Sequence, residues 1–256
     1  MNSFFKTAAT VISLAANDFK SKYAGSVLGS VWAIAEPAAL VLVYWFAYTV
    51  AFGGGDVNGI PYFLYLSAGM VPWCFISGGL TGISSCFRDY SYLIKKTYFN
   101  KKLLPYIRLF SALFSHIVFC FLIVVICIFC GSDLSKIYLL PAVFLLSAVF
   151  VLSLGKILAV LCAGIKDVQN AVSVVLNIAF WITPIFWNGA DIPLKYSAVV
   201  RFNPAALICD SYRNVLLFGR YPELSAVIRI CAISAVLFLV GSLIERKLLP
   251  NISDRL

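Results

Sequence analysis

Two sets of side chains have the types and spacing to do chemistry, and in both sets the chemistry is binding. The first set is aromatic. Tyr44, Tyr48 and Phe52 fall at i, i+4 and i+8 and so form one stripe on a helix. Tyr62, Tyr65 and Trp73 fall near one face of the next apolar segment, and Trp181 and Trp187 flank Pro184. Sugar rings carry apolar C–H faces that stack on aromatic rings, and tyrosine hydroxyls bond sugar hydroxyls. The competing reading is that tyrosine and tryptophan gather at bilayer interfaces whatever a protein does. The second set is basic. Arg88, Lys95, Lys96, Lys101, Lys102 and Arg108 crowd one loop against Asp89 alone, interleaved with Tyr90, Tyr92, Tyr98 and Phe99. A short helix from Ser91 to Tyr98 would suit insertion into a partner's cleft with aromatic anchors. The plainer alternative is a loop whose charge only sets its side of a membrane.

Nothing in the chain points to catalysis. A phosphate-cradling G-x-x-x-x-G-K-[ST] is missing, because Gly155-Lys156 is followed by Ile157. Cys127 and Cys130 form a C-x-x-C on an apolar stretch with no second pair, so no metal is expected. The eight cysteines read as small apolar packing groups, and no cofactor is expected. Glu36, Lys156 and His116 are the ionisable groups inside apolar segments. They make no regular chain of carboxylates, which leaves proton coupling without support. Glu36, next to Pro37, suits the mouth of a path or interfacial solvation, Lys156 suits snorkelling or a pair across helices, and His116 suits hydrogen-bonded packing.

The elements that must position these groups are membrane helices. The chain is 62% hydrophobic and 12% charged, with mean hydropathy +0.95, more apolar surface than a soluble domain of this size could hide. Its net charge of +9 is explained by basic loops that meet anionic lipid headgroups, and nucleic-acid binding is not expected. Six segments reach spanning length: Ser30 to Phe52, Ile60 to Ile83, Pro105 to Cys130, Ile137 to Ile165, Val168 to Phe186 and Leu224 to Ile244. The expected fold is an all-α integral membrane protein of six transmembrane helices. Lys and Arg concentrate before span one, between spans two and three, after span four (Lys166) and after span six (Arg246, Lys247, Arg255). That pattern puts both termini in the cytoplasm. The outer loop, 188–223, carries Arg201, Arg213 and Arg220 with apolar patches, which suggests short re-entrant or interfacial helices.

The N-terminal segment resembles a signal peptide only faintly. Lys6, Thr10, Ser13, Asn17 and Lys20 make one polar stripe, while Phe4, Phe5, Ala8, Val11, Ile12, Ala15 and Phe19 cover the other side. An amphipathic helix in the cytoplasmic interface is expected. Gly25 and Gly29 follow as an elbow into span one, and Gly78-x-x-x-Gly82 would permit close helix contact in span two.

Five motifs, in order along nearly the whole chain, resemble a known family. KSKYAGSVLGSVWAIAEP is similar to the R-Y-x-x-S-x-L-G-x-x-W-x-x-x-x-P signature of ABC-2 type polysaccharide exporter permeases, with Lys22 in place of Arg. MVPWCFISGGL, LIKKTYFNKKLLP (Asn100 replacing a proline), KDVQNAVSVVLNIAFWITPIFW and FNPAALICDSYRNVLLFG resemble later family segments. The resemblance implies the transmembrane subunit of a transporter that exports lipid-linked polysaccharide across the bacterial cytoplasmic membrane. O-antigen is the first expectation. Teichoic acid or capsule comes next, then a drug or lipid exporter of the same superfamily, and an ATP-independent secondary transporter is the reading from another class. The implied partners are a second copy of the chain, two copies of a cytoplasmic ATPase, the glycan and membrane lipids. On this reading residues 1–29 are the interface helix and elbow, 30–247 the six-helix domain and 248–256 a cytoplasmic tail. Tyr44, Tyr48, Phe52 and Trp181 are expected to line the glycan channel. Lys20, Lys22, Arg88, Tyr92, Lys95, Lys96 and Tyr98 are expected to couple to the ATPase through a loop at about 84–105. Gly25, Gly29, Trp32 and Glu36 are expected to form the elbow and the cytoplasmic mouth.

Overall fold

The computed structural model describes residues 2–51, 53–57, 59–96, 99–189 and 192–250. Among them the chain is almost wholly helical, and its only β pairings are isolated bridges. Helix α1 (Asn2–Lys22) packs along α5 (Leu104–Phe129), burying Val11 and Ala15 and leaving Ser13, Asn17 and Lys20 exposed. The polar stripe faces outward as its pattern suggests, while Ile12 of the apolar side is exposed as well. The elbow follows, with Gly25 at φ 82° and Gly29 at φ 51°, conformations that glycine adopts without a Cβ clash. A tight turn at Gly29–Val31 leads into α2 (Trp32–Phe46), which ends in a π-helical turn at Ala47–Ala51.

Helix α3 (Tyr62–Asp89) is the centre of the bundle. Of its spanning window 78% is buried, against 11–33% for the other four long spans, so the rest of the fold is built around it. It contacts α2, α5, α6 (Leu140–Gly164), α7 (Asp167–Ile182) and α9 (Pro204–Leu216). Its seam with α6 is tight. A Cβ at Gly155 would lie 2.8 Å from Ile83 Cγ2, and one at Gly79 would lie 2.8 Å from Val151 Cγ1. Small residues there let two backbones meet where lipid supplies no hydrophobic drive. The expected contact through Gly78 and Gly82 is not made. Nothing approaches Gly78, and the nearest atom to Gly82 is Arg108 Cδ at 3.9 Å. Helix α10 (Leu224–Leu248) packs on α6. Lys156 pairs with Glu245 at 2.7 Å, both buried. Lys156 therefore pairs across helices, one of the two options open to it.

Side-chain bonds show which helix ends lie together. One end joins Asp18, Asp89 and Arg108, and nearby Arg88 reaches the Lys166 carbonyl and Ser84 reaches Gln169. The opposite end joins Tyr62 to Phe186, Ser135 to Gly219 and Tyr138 to Tyr221. The first is called here the basic end, because α1 and the Arg246–Lys247 end of α10 belong to it.

Among the described residues, five helices are long and apolar enough to cross a bilayer, at Gly29–Ala51, Tyr62–Asp89, Lys101–Phe129, Ile137–Gly164 and Leu224–Leu248. The expected fifth span, Val168 to Phe186, consists of the 16-residue α7 and irregular chain from Thr183 to Trp187, running from Gln169 at the basic end to Phe186 at the opposite end. Sixteen residues rise about 24 Å, short of a hydrocarbon core of about 30 Å. Pro184 accounts for the break, since it offers no N–H and disfavours helix at the residue before it; Thr183 is accordingly extended, at ψ 133°. In the loop that follows, α8 (Ser197–Phe202) is exposed, whereas α9 is buried against α3, α6 and α10. The expected short helices are thus one surface helix and one inserted helix.

Replacing Gly155 by valine should overpack the α3–α6 seam and cost about 1–3 kcal/mol. The expected result is a lower thermal midpoint for the purified protein, with Gly78→Val much milder. Equal midpoints would show that the seam is not tightly packed.

Candidate functional site

Between α1 and α2 on one side and α3, α5 and α7 on the other runs a groove. Two adjoining cavities of about 460 and 370 Å³ make it up. Its wall inside the apolar region is hydroxyl- and amide-bearing: Ser77 and Thr81 from α3, Ser111 and Ser115 from α5, Ser173 and Asn177 from α7. On each helix these residues stand four apart, so they share a face. Asn177 and Ser173 are exposed, on a helix that also exposes Val174, Val175 and Ile178. Polar groups at membrane depth face water or protein rather than lipid, so this wall suits contact with water or another polar surface. Glu36 lines the groove from α2 and is exposed there, and Lys22 and Tyr23 lie at the basic end.

At the opposite end the groove meets aromatic rings. The Tyr44 ring lies 5.2 Å from Phe180, 6.4 Å from Trp181 and 6.3 Å from Phe186, centroid to centroid. Trp73 packs on Phe180 at 5.6 Å. Such pairs contribute about 0.5–1.5 kcal/mol each beyond the area they bury. The broken chain after α7 carries Phe186 into this cluster. Its four successive carbonyls each find a side-chain donor. Arg213 donates to Pro184 at 2.7 Å and to Ile185 at 2.6 Å, Tyr62 donates to Phe186 at 2.7 Å, and Tyr65 donates to Trp187 at 3.4 Å.

At the basic end α3 runs into a short helix, α4 (Ser91–Lys96), through Tyr90. The Tyr90 hydroxyl donates to Asp18 of α1. Burial and then this hydrogen bond raise the Tyr90 pKa far above the tyrosine range, so the proton stays on the phenol and the donor role is fixed. Arg108 of α5 bridges Asp18, at 3.0 Å, and Asp89 of α3, and its guanidinium lies 5.1 Å over the Tyr90 ring. Four side chains therefore tie α1, α3 and α5 together where α4 begins. Charge-assisted bonds of this kind are about twice as strong as neutral ones.

The groove brings together several residues singled out by sequence, namely Tyr44, Trp181, Lys22 and Glu36. Tyr48 goes elsewhere, stacking on Tyr62 at 3.8 Å, so the expected single stripe divides between two aromatic contacts. Gly25 and Gly29 form the elbow, and Trp32 is 44% exposed beside it. Lys20, Tyr92 and Lys95 are exposed at the basic end, and Arg88 is half-buried. Phe52 and Tyr98 lie outside the described residues, as does the side chain of Lys96, so the expected helix from Ser91 to Tyr98 is described only to Lys96. Sequence reasoning missed the small polar residues of the wall, although their spacing of four within apolar segments was a readable signal. It also missed Asp18 as a partner of two helices, because the join spans 90 residues of chain.

Comparison with known proteins agrees with this architecture. A protein-family model for ABC-2 type transporters matches residues 10–217. The chain is 27% identical over 245 residues to the O-antigen export system permease protein RfbA of Myxococcus xanthus, covering 94% of this chain and 93% of that protein. Two permeases of the same name from Klebsiella pneumoniae are 26% and 27% identical over 207 residues, 79% of this chain and 78% of each of them. With the family model spanning most of its length, an almost wholly helical bundle and five helices of spanning length, this multi-pass membrane protein belongs to the ABC-2 type transporter family.

Proposed function

We propose that the chain is the transmembrane subunit of an ATP-driven exporter of lipid-linked polysaccharide, with O-antigen as the substrate class. The observation that carries this reading is the groove, whose hydroxyl- and amide-bearing wall ends in a cluster of aromatic rings. Small polar groups exchange hydrogen bonds with many sugar hydroxyls without holding one repeat unit, and aromatic faces stack on any pyranose. Such a surface suits a polymer that must slide. The names of the similar permeases support the substrate class.

In this reading the basic end faces the cytoplasm of a bacterial cell, following the positive-inside rule, and two copies of the chain enclose the path. ATP hydrolysis belongs to a separate subunit, also in two copies, that docks on α4 and its flanking loop. Tyr92 and Lys95 are its exposed contacts, with Lys20 and Lys22 of α1 nearby. Movement of α4 pulls on Tyr90 and Asp89, and so on Asp18 of α1 and Arg108 of α5. Both helices border the groove, so closure of the ATPase pair changes its width.

Two sets of variants separate the parts. Reversing charge at Lys95 and Lys96 together should leave assembly intact and uncouple ATP hydrolysis from export in proteoliposomes that contain the ATPase. Undiminished export by the double reversal would remove the docking role. Alanine at Tyr44 should slow export about two- to ten-fold, the loss of one ring–sugar stacking interaction, while alanine at Tyr48, which stacks on Tyr62 instead, should not, and neither should change the amount of assembled complex. An unchanged rate with alanine at Tyr44 would show that this ring only packs. Turnover stimulated by lipid-linked glycan in the reconstituted complex tests the whole reading, and turnover indifferent to glycan would overturn it.

A further inference from the structure

The anchoring of the chain after α7 carries a consequence for how the groove closes. Arg213 is 2% exposed and projects from α9 into the centre of the bundle. It sits 3.7 Å over the Tyr65 ring, and its Nε donates to the Tyr65 carbonyl at 3.3 Å. Its two terminal nitrogens take the carbonyls of Pro184 and Ile185, and one of them also pairs with Asp210 at 3.2 Å. Every arm of the guanidinium is used, and it joins α3, α9 and the irregular chain after α7. A guanidinium fork can serve two adjacent carbonyls at once, and a lysine ammonium cannot match that planar geometry. The next residue, Phe186, stacks over Tyr44 across the groove's far end.

We propose that Arg213 is a positioning residue for closure of the groove. By fixing Pro184 and Ile185 it holds Phe186 against Tyr44, Phe180 and Trp181, and loss of the fork frees this aromatic closure without any ATP-driven step. The proposal rests on the groove being the export path, with its aromatic end outermost. A second route to the same state exists. A Cβ at Gly69 would lie 2.6 Å from Arg213 Nη2 and 3.3 Å from the Ile185 carbonyl oxygen, so Gly69→Ala displaces the fork while Arg213 remains.

Cys74 is a native reporter, because it lines the groove on the basic side of the aromatic cluster. Cys130 is exposed just past α5 at the opposite end, and Cys127 is fully buried. The experiment applies a membrane-impermeant maleimide from the outer side to the full transporter in membranes, without ATP, and follows each cysteine by peptide mass. In the wild type Cys130 should label and Cys74 should stay protected. In Arg213→Lys and in Gly69→Ala, Cys74 should label about ten-fold faster or more, the scale of a lost buried hydrogen-bond set, with Cys130 unchanged and Cys127 still protected. Three results overturn the proposal: Cys74 as protected in both variants as in the wild type, Cys127 labelling in step with Cys74, or Cys74 already labelling like Cys130 in the wild type. Glycan-stimulated turnover of the same preparations is read separately. Loss of that response with Cys74 behaving as expected would discard the polysaccharide reading and keep the closure.

Discussion

A backbone carbonyl inside a bilayer must find its donor within the protein, and the chain after α7 is where this molecule meets that demand most severely. Pro184 ends the helix before the chain reaches the far end of the bundle, leaving carbonyls 184–187 without helical partners. They are answered by a buried arginine and two tyrosine hydroxyls drawn from α9 and α3. That requirement explains why α9 is inserted rather than lying on the surface, why an arginine is tolerated at 2% exposure, and why residue 69 is glycine. It also sets where Phe186 and Trp187 stand, and hence where the groove ends.

The opposite end uses a different device. There the demand is to tie three helices to a short one, and a network of two carboxylates, one guanidinium and one phenol does it. An exposed ion pair contributes little, but Asp18 and Arg108 are mostly covered, Arg108 lies over the Tyr90 ring and Asp18 accepts from its hydroxyl, so geometry rather than bare attraction holds them. Between the two ends α3 acts as a rigid post, packed on α6 through Gly79 and Gly155.

Much of this was legible in the sequence. Apolar length gave the long spans, the charge bias gave which helix ends share a side, and the stripe of α1 gave its packing face. The elbow glycines and the inserted outer helix were also readable. What was not legible has one physical cause, which is pairing between residues distant in the chain. The pattern Gly78-x-x-x-Gly82 suggested a helix contact, but the seam falls one residue on, at Gly79, because Val151 of α6 packs there while Gly155 takes Ile83. Tyr44 and Tyr48 share a stripe by spacing, yet their partners Phe180 and Tyr62 come from different helices. The fifth span was expected as one helix to Phe186, and its break at Pro184 was hidden because hydropathy continues through the proline.

The most direct test is to ask whether glycan passes through the groove. A photo-reactive amino acid placed at Ser77 or Asn177, which line it, and at Phe121, which is 68% exposed on the far side of α5's buried face, would report contact in the working transporter. Illumination during ATP-driven turnover with labelled lipid-linked glycan should cross-link the polymer at Ser77 and Asn177 and leave Phe121 unlabelled. Cross-linking at Phe121 alone, or none at either groove position while export proceeds, would contradict the groove as the path.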